Sequence, residues 1–482
     1  MSIPSRYLRL RTVPGRVRAL TVLVLVVLAV LFAVTGGALL DARSALRAVG
    51  HDEGPMVVAT SDVYLALSDM DAQVTNVLLN GEENGWLCDP DQDGGACGRS
   101  GSRYFYDIRR EDAERAALQA ARLAEDDPVR LRTVQSVLDG LHQYDQRVQT
   151  AMERGRHVSH AFGALPEDAV EEYRAATTLM TEDLLPKANN LTLGGAAIVD
   201  TTYREERSGV MAGRIRVLVF GAAVLLALAA LQLYLAVRFR RMMSLFLVAA
   251  AVGTVALTAV SATVLANEGV YLKVAKDGGF DPVLTLSRAQ AIGKSLDSDR
   301  TRYLLDPSDS DRYDQTYLEK AQTILYINDA ANLEGYYAKL DALLGRYDGG
   351  AGAVAFRGVY GDQAREATEV RGQRRTYAAL LERYRAYQRN DRRVRALADA
   401  GDRAEAGRAH MDPRWPYLPH PAFREHDEEL GARIGSHQYV VDRAVARGEG
   451  ALGPWSWLLP LSVLAIAALV VAGVWPRLSE YR

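Results

Sequence analysis

The sequence predicts an all-α membrane protein: four transmembrane helices carrying two extracytoplasmic helical-bundle domains, arranged as tandem helix–ectodomain–helix units. Three observations predict it. Four apolar blocks, Ala19–Leu40, Val217–Val237, Met242–Ala266 and Trp455–Trp475, contain no Asp, Glu, Lys or Arg. Each reaches the roughly 20 residues that a spanning helix needs. Arginine is concentrated in the short segments beside those blocks. The two long segments show helical spacing of apolar residues and almost no alternating β-branched runs.

Composition bounds the alternatives. The 482 residues are 24% charged and 49% hydrophobic, with a mean hydropathy of −0.09. That is too polar for a chain lying mostly in the membrane and too apolar for a disordered one. A net charge of −3 argues against a nucleic-acid binder, which carries a basic domain. Two Cys cannot build a zinc-ribbon or iron–sulfur framework. Only six of the 57 basic residues are Lys, an excess of arginine that hints at a GC-rich bacterial genome.

In chain order, residues 1–18 are an Arg-rich segment with Arg6, Arg9, Arg11, Arg16 and Arg18 and no acid. Span one, 19–40, is longer than the roughly 7–15-residue apolar core of a signal peptide, so a cleaved signal is the lesser alternative. Residues 41–216 form the first outer domain. Span two, 217–237, leads into a basic turn, 238–241, with Arg238, Arg240 and Arg241. So short a connection makes spans two and three (242–266) an antiparallel hairpin. Residues 267–454 form the second outer domain. Span four, 455–475, is bracketed by Trp455, Trp457 and Trp475 as interfacial anchors. The tail, 476–482, sets Arg477 and Arg482 against Glu480.

Positive segments stay in the cytoplasm. Both termini therefore lie inside and both large domains outside, in a multi-pass plasma-membrane protein. Arg214 and Arg216, on the outer flank of span two, weaken that contrast without reversing it.

Both outer domains read as bundles. Val134, Val137, Leu138, Leu141, Tyr144 and Val148 recur at three- and four-residue steps in the first. Tyr377, Leu380, Leu381, Tyr384, Tyr387, Val394 and Leu397 do so in the second. Charged residues fill the other faces, and about four helices per domain bury such stripes. Little between Gly209 and Val217 would break a helix continuing out of span two. The domains share an echo. Ser68-Asp69-Met70-Asp71 precedes Leu78-Leu79-Asn80-Gly81, and Leu296-Asp297-Ser298-Asp299 precedes Leu304-Leu305-Asp306-Pro307. Each reads as a first bundle helix ending at a turn, and the pair suggests duplication.

Three segments offer candidate sites. Cys88 and Cys97 close one loop, and outside the cytoplasm such a pair is expected to form a disulfide. Within the loop, Asp89, Asp91 and Asp93 followed by Gly94 match the start of a calcium loop. Position twelve is Ser100 where a bidentate Glu is expected, and the competing reading is a solvated acidic tip. The stretch 410–423 holds Pro413, Pro416, Pro419 and Pro421, with Trp415, Tyr417 and Phe423 as candidate aromatic anchors for a partner. The competing reading, and the favoured one, is a long loop packed on its own bundle. His410, His420 and His426 are too irregularly spaced for a metal site.

No P-loop, nucleophile elbow, HExxH or nucleotide fingerprint is present, so no catalytic residue is assigned and no cofactor is expected beyond calcium at that loop. No ionisable group lies within a span, which argues against a coupled transporter. Small residues in span three (Gly253, Thr254, Ala256, Thr258, Ser261, Ala262) read as a helix-packing face. The short inner segments leave little room for an enzyme. Arg238, Arg240 and Arg241 are the candidate surface for a cytoplasmic partner, alongside their role in topology and lipid attraction.

The layout resembles the four-pass membrane signalling component of the actinobacterial glutamate-sensing system, the GlnX type. Leu65–Gly81 and Ser295–Pro307 carry the resemblance, and that motif class is also similar to the four-helix sensor domains of chemoreceptors. The resemblance implies a non-enzymatic relay: an extracytoplasmic solute-binding lipoprotein detects an amino acid, and the membrane protein passes the state to a cytoplasmic Ser/Thr kinase. Bundle sensors of this type are often dimers, which makes a second copy a candidate partner. The alternatives from other classes are an envelope or secretion scaffold and a transporter accessory subunit.

Overall fold

The computed structural model describes residues 13–85, 102–156, 165–239, 244–347, 356–369, 373–415 and 418–479. Among them all regular structure is helical, and β pairing is confined to two isolated bridges, Tyr326–Arg357 and Met411–Pro419. In the first half, α1 (Val13–Arg47) passes through a π-helical turn, Ala48–Asp52, into α2 (Glu53–Gly85). Then come α3 (Ser102–Leu123), α4 (Pro128–Arg156) and α5 (Glu167–Leu179). A second π turn, Met180–Leu184, joins α5 to the 55-residue α6 (Leu185–Phe239).

In the second half, α7 (Leu245–Ala275) passes through a third π turn, Lys276–Phe280, into α8 (Asp281–Leu305). There follow α9 (Ser310–Ile324), α10 (Leu333–Leu344), α11 (Gly358–Glu369), α12 (Gln373–Asp399), α13 (Arg403–His410), α14 (Pro421–Leu452) and α15 (Trp455–Ser479). Four helical stretches, one to each apolar block, are long and apolar enough to cross a membrane.

Of the described residues, those up to Gly54, Ala197–Gly279 and those from Tyr439 onward form one compact unit, here the span unit. Pro55–Ala196 and Phe280–Gln438 form the other, here the lobe unit. The expected continuation of the helix beside span two is present: α6 is unbroken from Leu185 to Phe239.

The span unit is built on a seven-residue repeat. Val17, Val24, Leu31, Ala38 and Ala45 are buried on α1. Tyr203, Val210, Val217, Val224 and Leu231 are buried on α6, and Leu247, Thr254, Ser261, Glu268 and Ala275 on α7. A strict repeat of seven is the pattern of left-handed, interlocking helix pairs. Small residues let the helices approach closely: a Cβ at Gly221 would collide with Thr258, and one at Gly213 would come within 2.8 Å of Ala38. Thr254, Thr258, Ser261 and Ala262 lie on the buried face of span three as expected, whereas Ala256 is exposed. The opposite faces present Leu226, Leu233, Val237 and Leu464 outward, as helices surrounded by lipid do.

In the lobe unit, the first lobe (55–196) packs α2–α5 and the start of α6. Its core takes Val63, Leu67, Met70 and Val74 from α2 and Val134, Val137, Leu141, Tyr144 and Val148 from α4. The second lobe (280–438) is tyrosine-rich: Tyr317, Tyr336, Tyr360, Tyr377, Tyr384 and Tyr387 gather around α12. The two lobes are not separate bundles. Tyr303, Leu304, Leu305, Tyr313, Val394 and Met411 of the second belong to the same buried cluster as the α2 and α4 stripes. The Leu78-Leu79-Asn80-Gly81 stretch does not end its helix, because α2 runs on to Gly85. Its counterpart behaves as expected, with α8 ending at Leu305.

Candidate functional site

Two helices organise the lobe unit, and each carries an Asp-x-Asp pair. Asp69 and Asp71 follow the end of the first π turn by the same number of residues as Asp297 and Asp299 follow the third. In that register Ala72 and Val74 on α2 correspond to Arg300 and Arg302 on α8. The α8 carboxylates therefore have cations one turn on, at i+3, which is within reach on a helix. The α2 carboxylates have none, and they take theirs from elsewhere.

Arg302 is the centre of this exchange. Its side chain is 1% exposed. It binds Asp299 Oδ1 at 2.8 Å on its own helix and Asp71 Oδ2 on the first lobe. Its Nε donates to Tyr173 Oη at 3.0 Å. Asp71 also accepts from Tyr144 Oη at 2.9 Å, and Lys320 completes Asp299. Asp69 receives Arg109 at 2.8 Å and Lys294 at 3.3 Å, and Lys294 also binds Asp427 at 2.8 Å. Burial alone would push Lys294 down, but Asp69 and Asp427 outweigh it and hold the ammonium above the ordinary lysine range. Burial likewise works against Asp427, yet the charge and hydrogen bond of Lys294 keep it below the usual carboxylate range. Asp297 is bound by Arg300, but burial prevails and its pKa is raised.

Two further bridges join the lobes. Arg174 holds Asp306 through two nitrogens at 2.6 and 2.7 Å, the fork geometry that suits a carboxylate. His410 Nε2 lies 3.2 Å from Asn76 Oδ1 and 2.9 Å from Thr301 Oγ1. Beside the Arg174 and Arg302 bridges opens a cavity of about 600 Å³, walled by α5, α6, α8 and α9. Its size is that of a small-molecule pocket.

The first and third π turns carry polar tethers within the span unit. His51, in the first, lies 3.0 Å from Glu449 on α14; Lys276, in the third, lies 3.1 Å from Asp200 on α6. Each turn at the start of one half is thus tied to a helix from the other half. Single-turn π segments recur at functional sites.

The residues singled out from sequence fall in several places. Cys88, Cys97, Asp89, Asp91 and Asp93 lie outside the described residues, as do Arg240, Arg241 and Tyr417. Arg238 is in the last turns of α6. Trp415 is exposed, in the loop between α13 and α14. Phe423 corrects the expectation of an aromatic anchor for a partner: it is 2% exposed, packs on Tyr387 at 5.3 Å between centroids, and has Lys294 5.2 Å from its ring. Because α14 begins at Pro421, Phe423 is turned inward as part of a helix. His426 is also interior, with Nε2 2.6 Å from Tyr360 Oη. No group of three or more metal-ligating side chains occurs among the described residues.

Arg302, Lys294, Arg174 and the cavity were not found from sequence. The signal was present in the echo, where Arg300 and Arg302 interrupt an otherwise shared pattern, but it read as a helix terminus. The comparisons bear on the first lobe. No curated protein and no solved structure matches the chain. Residues 45–204 match the family model described as an actinobacterial sensor domain, a stretch that contains α2–α5 and the start of α6. That match supports an actinobacterial sensor protein with a signal-sensing role, and the four long apolar helices support its being a membrane protein.

Proposed function

We propose that the chain is a non-enzymatic transmembrane signal relay. Its lobes face the extracytoplasmic side, and its termini and the Arg238–Arg241 turn face the cytoplasm, as the arginine distribution supports. One observation carries the reading. The helix that begins at Leu185, in the lobe unit, is the helix that contains the whole of span two. At 1.5 Å per residue it is roughly 80 Å long, and a continuous helix passes on a displacement that a loop would absorb. The buried Asp71–Arg302–Asp299 bridge makes the two lobes respond together. Two global states differing by a small helix shift, biased by binding outside, are enough to signal.

The resemblance to the GlnX type supports the finer reading. An amino-acid signal is delivered by a solute-binding lipoprotein outside, and a Ser/Thr kinase inside receives it through Arg238, Arg240 and Arg241. The test is crosslinking in native membranes, purification of the tagged full-length protein, and mass spectrometry of what is attached. Recovery of an extracytoplasmic binding protein together with a cytoplasmic kinase is the expected result. Recovery of envelope or secretion components alone overturns the relay in favour of a scaffold.

A further inference from the structure

The cavity between the lobes is lined by more cations than carboxylates. Arg174, Arg288, Arg302, Arg312 and Lys320 line it, against the carboxylates of Asp299 and Asp309. Three of these cations are neutralised: Arg302 by Asp71 and Asp299, Lys320 by Asp299, and Arg174 by Asp306. Arg312 is only loosely held, 3.6 Å from both Glu182 and Asp309. Arg288, on α8, has no ion-pair or hydrogen-bond partner among the described residues. Hydroxyls at Thr178, Thr181 and Thr316 and amides at Asn189 and Asn190 add uncharged polar groups to the lining. Leu185, Pro186 and Ile292 supply an apolar patch.

From this arrangement we infer that the cavity is a direct binding site for a small organic anion, a carboxylate or phosphate ester with an apolar body. Arg288 and Arg312 take the anionic group, and Leu185, Pro186 and Ile292 take the body. An unpaired guanidinium beside a recess recognises oxyanions through charge and its planar set of donors. The neighbouring Thr and Asn side chains supply the few polar groups that orient a ligand in such a pocket. An occupant would touch α5, the second π turn at Thr181, and α6 from the first lobe, and α8 and α9 from the second. It would therefore bridge the lobes beside the Arg302 and Arg174 links. This deepens the relay reading and rests on it only for what binding does afterwards.

Calorimetry on the detergent-purified full chain tests the site without reference to signalling. The probes are phenylacetate, phenyl phosphate and the uncharged phenylacetamide. At least one anion is expected to bind while the amide does not, and Arg288→Gln and Arg312→Gln are each expected to weaken that anion tenfold or more. The melting temperature of both variants is expected to match the parent, because neither arginine holds a close ion pair. The ratio of phenylacetate to phenyl phosphate affinity tells which head group the site takes. Equal binding of the amide would make the cavity a neutral apolar cleft and overturn the inference. So would absence of binding by all three at millimolar concentration, or unchanged anion affinity in both variants. Anion binding with no partner recovered by crosslinking would leave the site standing and remove the relay.

Discussion

The span unit and the lobe unit solve the same problem, packing long helices side by side, with opposite chemistry. On α1, α6 and α7 the buried positions recur every seven residues and are almost all apolar or small. On α2 and α8 the interior contains Asp71, Asp297, Asp299, Arg300 and Arg302, each at most 1% exposed. The difference follows from the solvent. In hydrocarbon the tails are as apolar as leucine, so helix association depends on close fit at small residues such as Gly221. In water apolar burial drives association without regard to direction, and paired charges that are costly to leave alone fix which helix meets which.

The largest effect that breaks this contrast is at Arg302. Replacing it with Met leaves Asp71 buried with the Tyr144 hydroxyl as its hydrogen-bond donor and removes one of the two cations from Asp299. Removing one partner of a buried ion pair costs about 3–5 kcal/mol. Thermal unfolding of the full chain in detergent, followed by far-ultraviolet circular dichroism, should show a single large drop in the midpoint. A loss below about 1 kcal/mol would mean that the bridge behaves as a surface pair and does not hold the lobes together.

Much of the architecture was legible, and what was missed was missed for physical reasons. Four charge-free blocks are unmistakable because a single charged residue in hydrocarbon is expensive. The α4 and α12 stripes were readable because burial of one helix face leaves a periodic trace. The heptads of the spans were hidden, since within a uniformly apolar block the inward and outward faces use the same residues. The joining of the two lobes was also hidden: Asp71 and Arg302 are 231 positions apart, and nothing local marks them as partners. Phe423 was offered as an anchor because its proline-rich neighbourhood suggests an extended loop, whereas Pro421 is the first residue of α14 and the helix carries Phe423 into the interior. The π turns have no sequence signature, and only the first and third occupy matching positions in the two halves.

A second prediction separates the lobes by pH. His426 is fully interior, and burial lowers its pKa to about 4. His410 is lowered well below the usual imidazole range by burial and then by the charge of Arg300. A histidine depressed in the folded state binds its proton only after unfolding, so between pH 6.5 and 4 the unfolded chain holds more protons. Stability is therefore complete above about pH 6.5 and is lost as the pH falls toward 4. For His426 the full loss is about 3 kcal/mol. Because His426 sits among Tyr360, Tyr384 and Tyr387, the tyrosine signal in near-ultraviolet circular dichroism should weaken on acidification before the helical signal does. His426→Gln should reduce that acid sensitivity and leave the part that His410 contributes, and an unchanged pH profile in the variant would assign it to His410 or to carboxylates instead.

The smallest effect comes from a place where the span unit departs from its own chemistry. Glu268 occupies a position of the α7 heptad, after Leu247, Thr254 and Ser261, with no exposed surface and no hydrogen bond to either carboxylate oxygen. It lies close to Gly448 of α14, where an added Cβ would come within 2.8 Å of its Oε2 and 2.6 Å of Leu46. A lone polar group at such a position costs stability while it discourages other registers. Glu268→Leu should therefore raise the melting temperature of the full chain, by about 1–2 kcal/mol in stability, the reverse of the Arg302 result. The gain should come with a loss of register: engineered cysteine pairs between α7 and α14 should crosslink in one register in the parent and in more than one in the variant. A variant that is less stable than the parent would show that Glu268 has a favourable partner in the membrane-bound protein, and that the span unit, like the lobes, pairs the charges it buries.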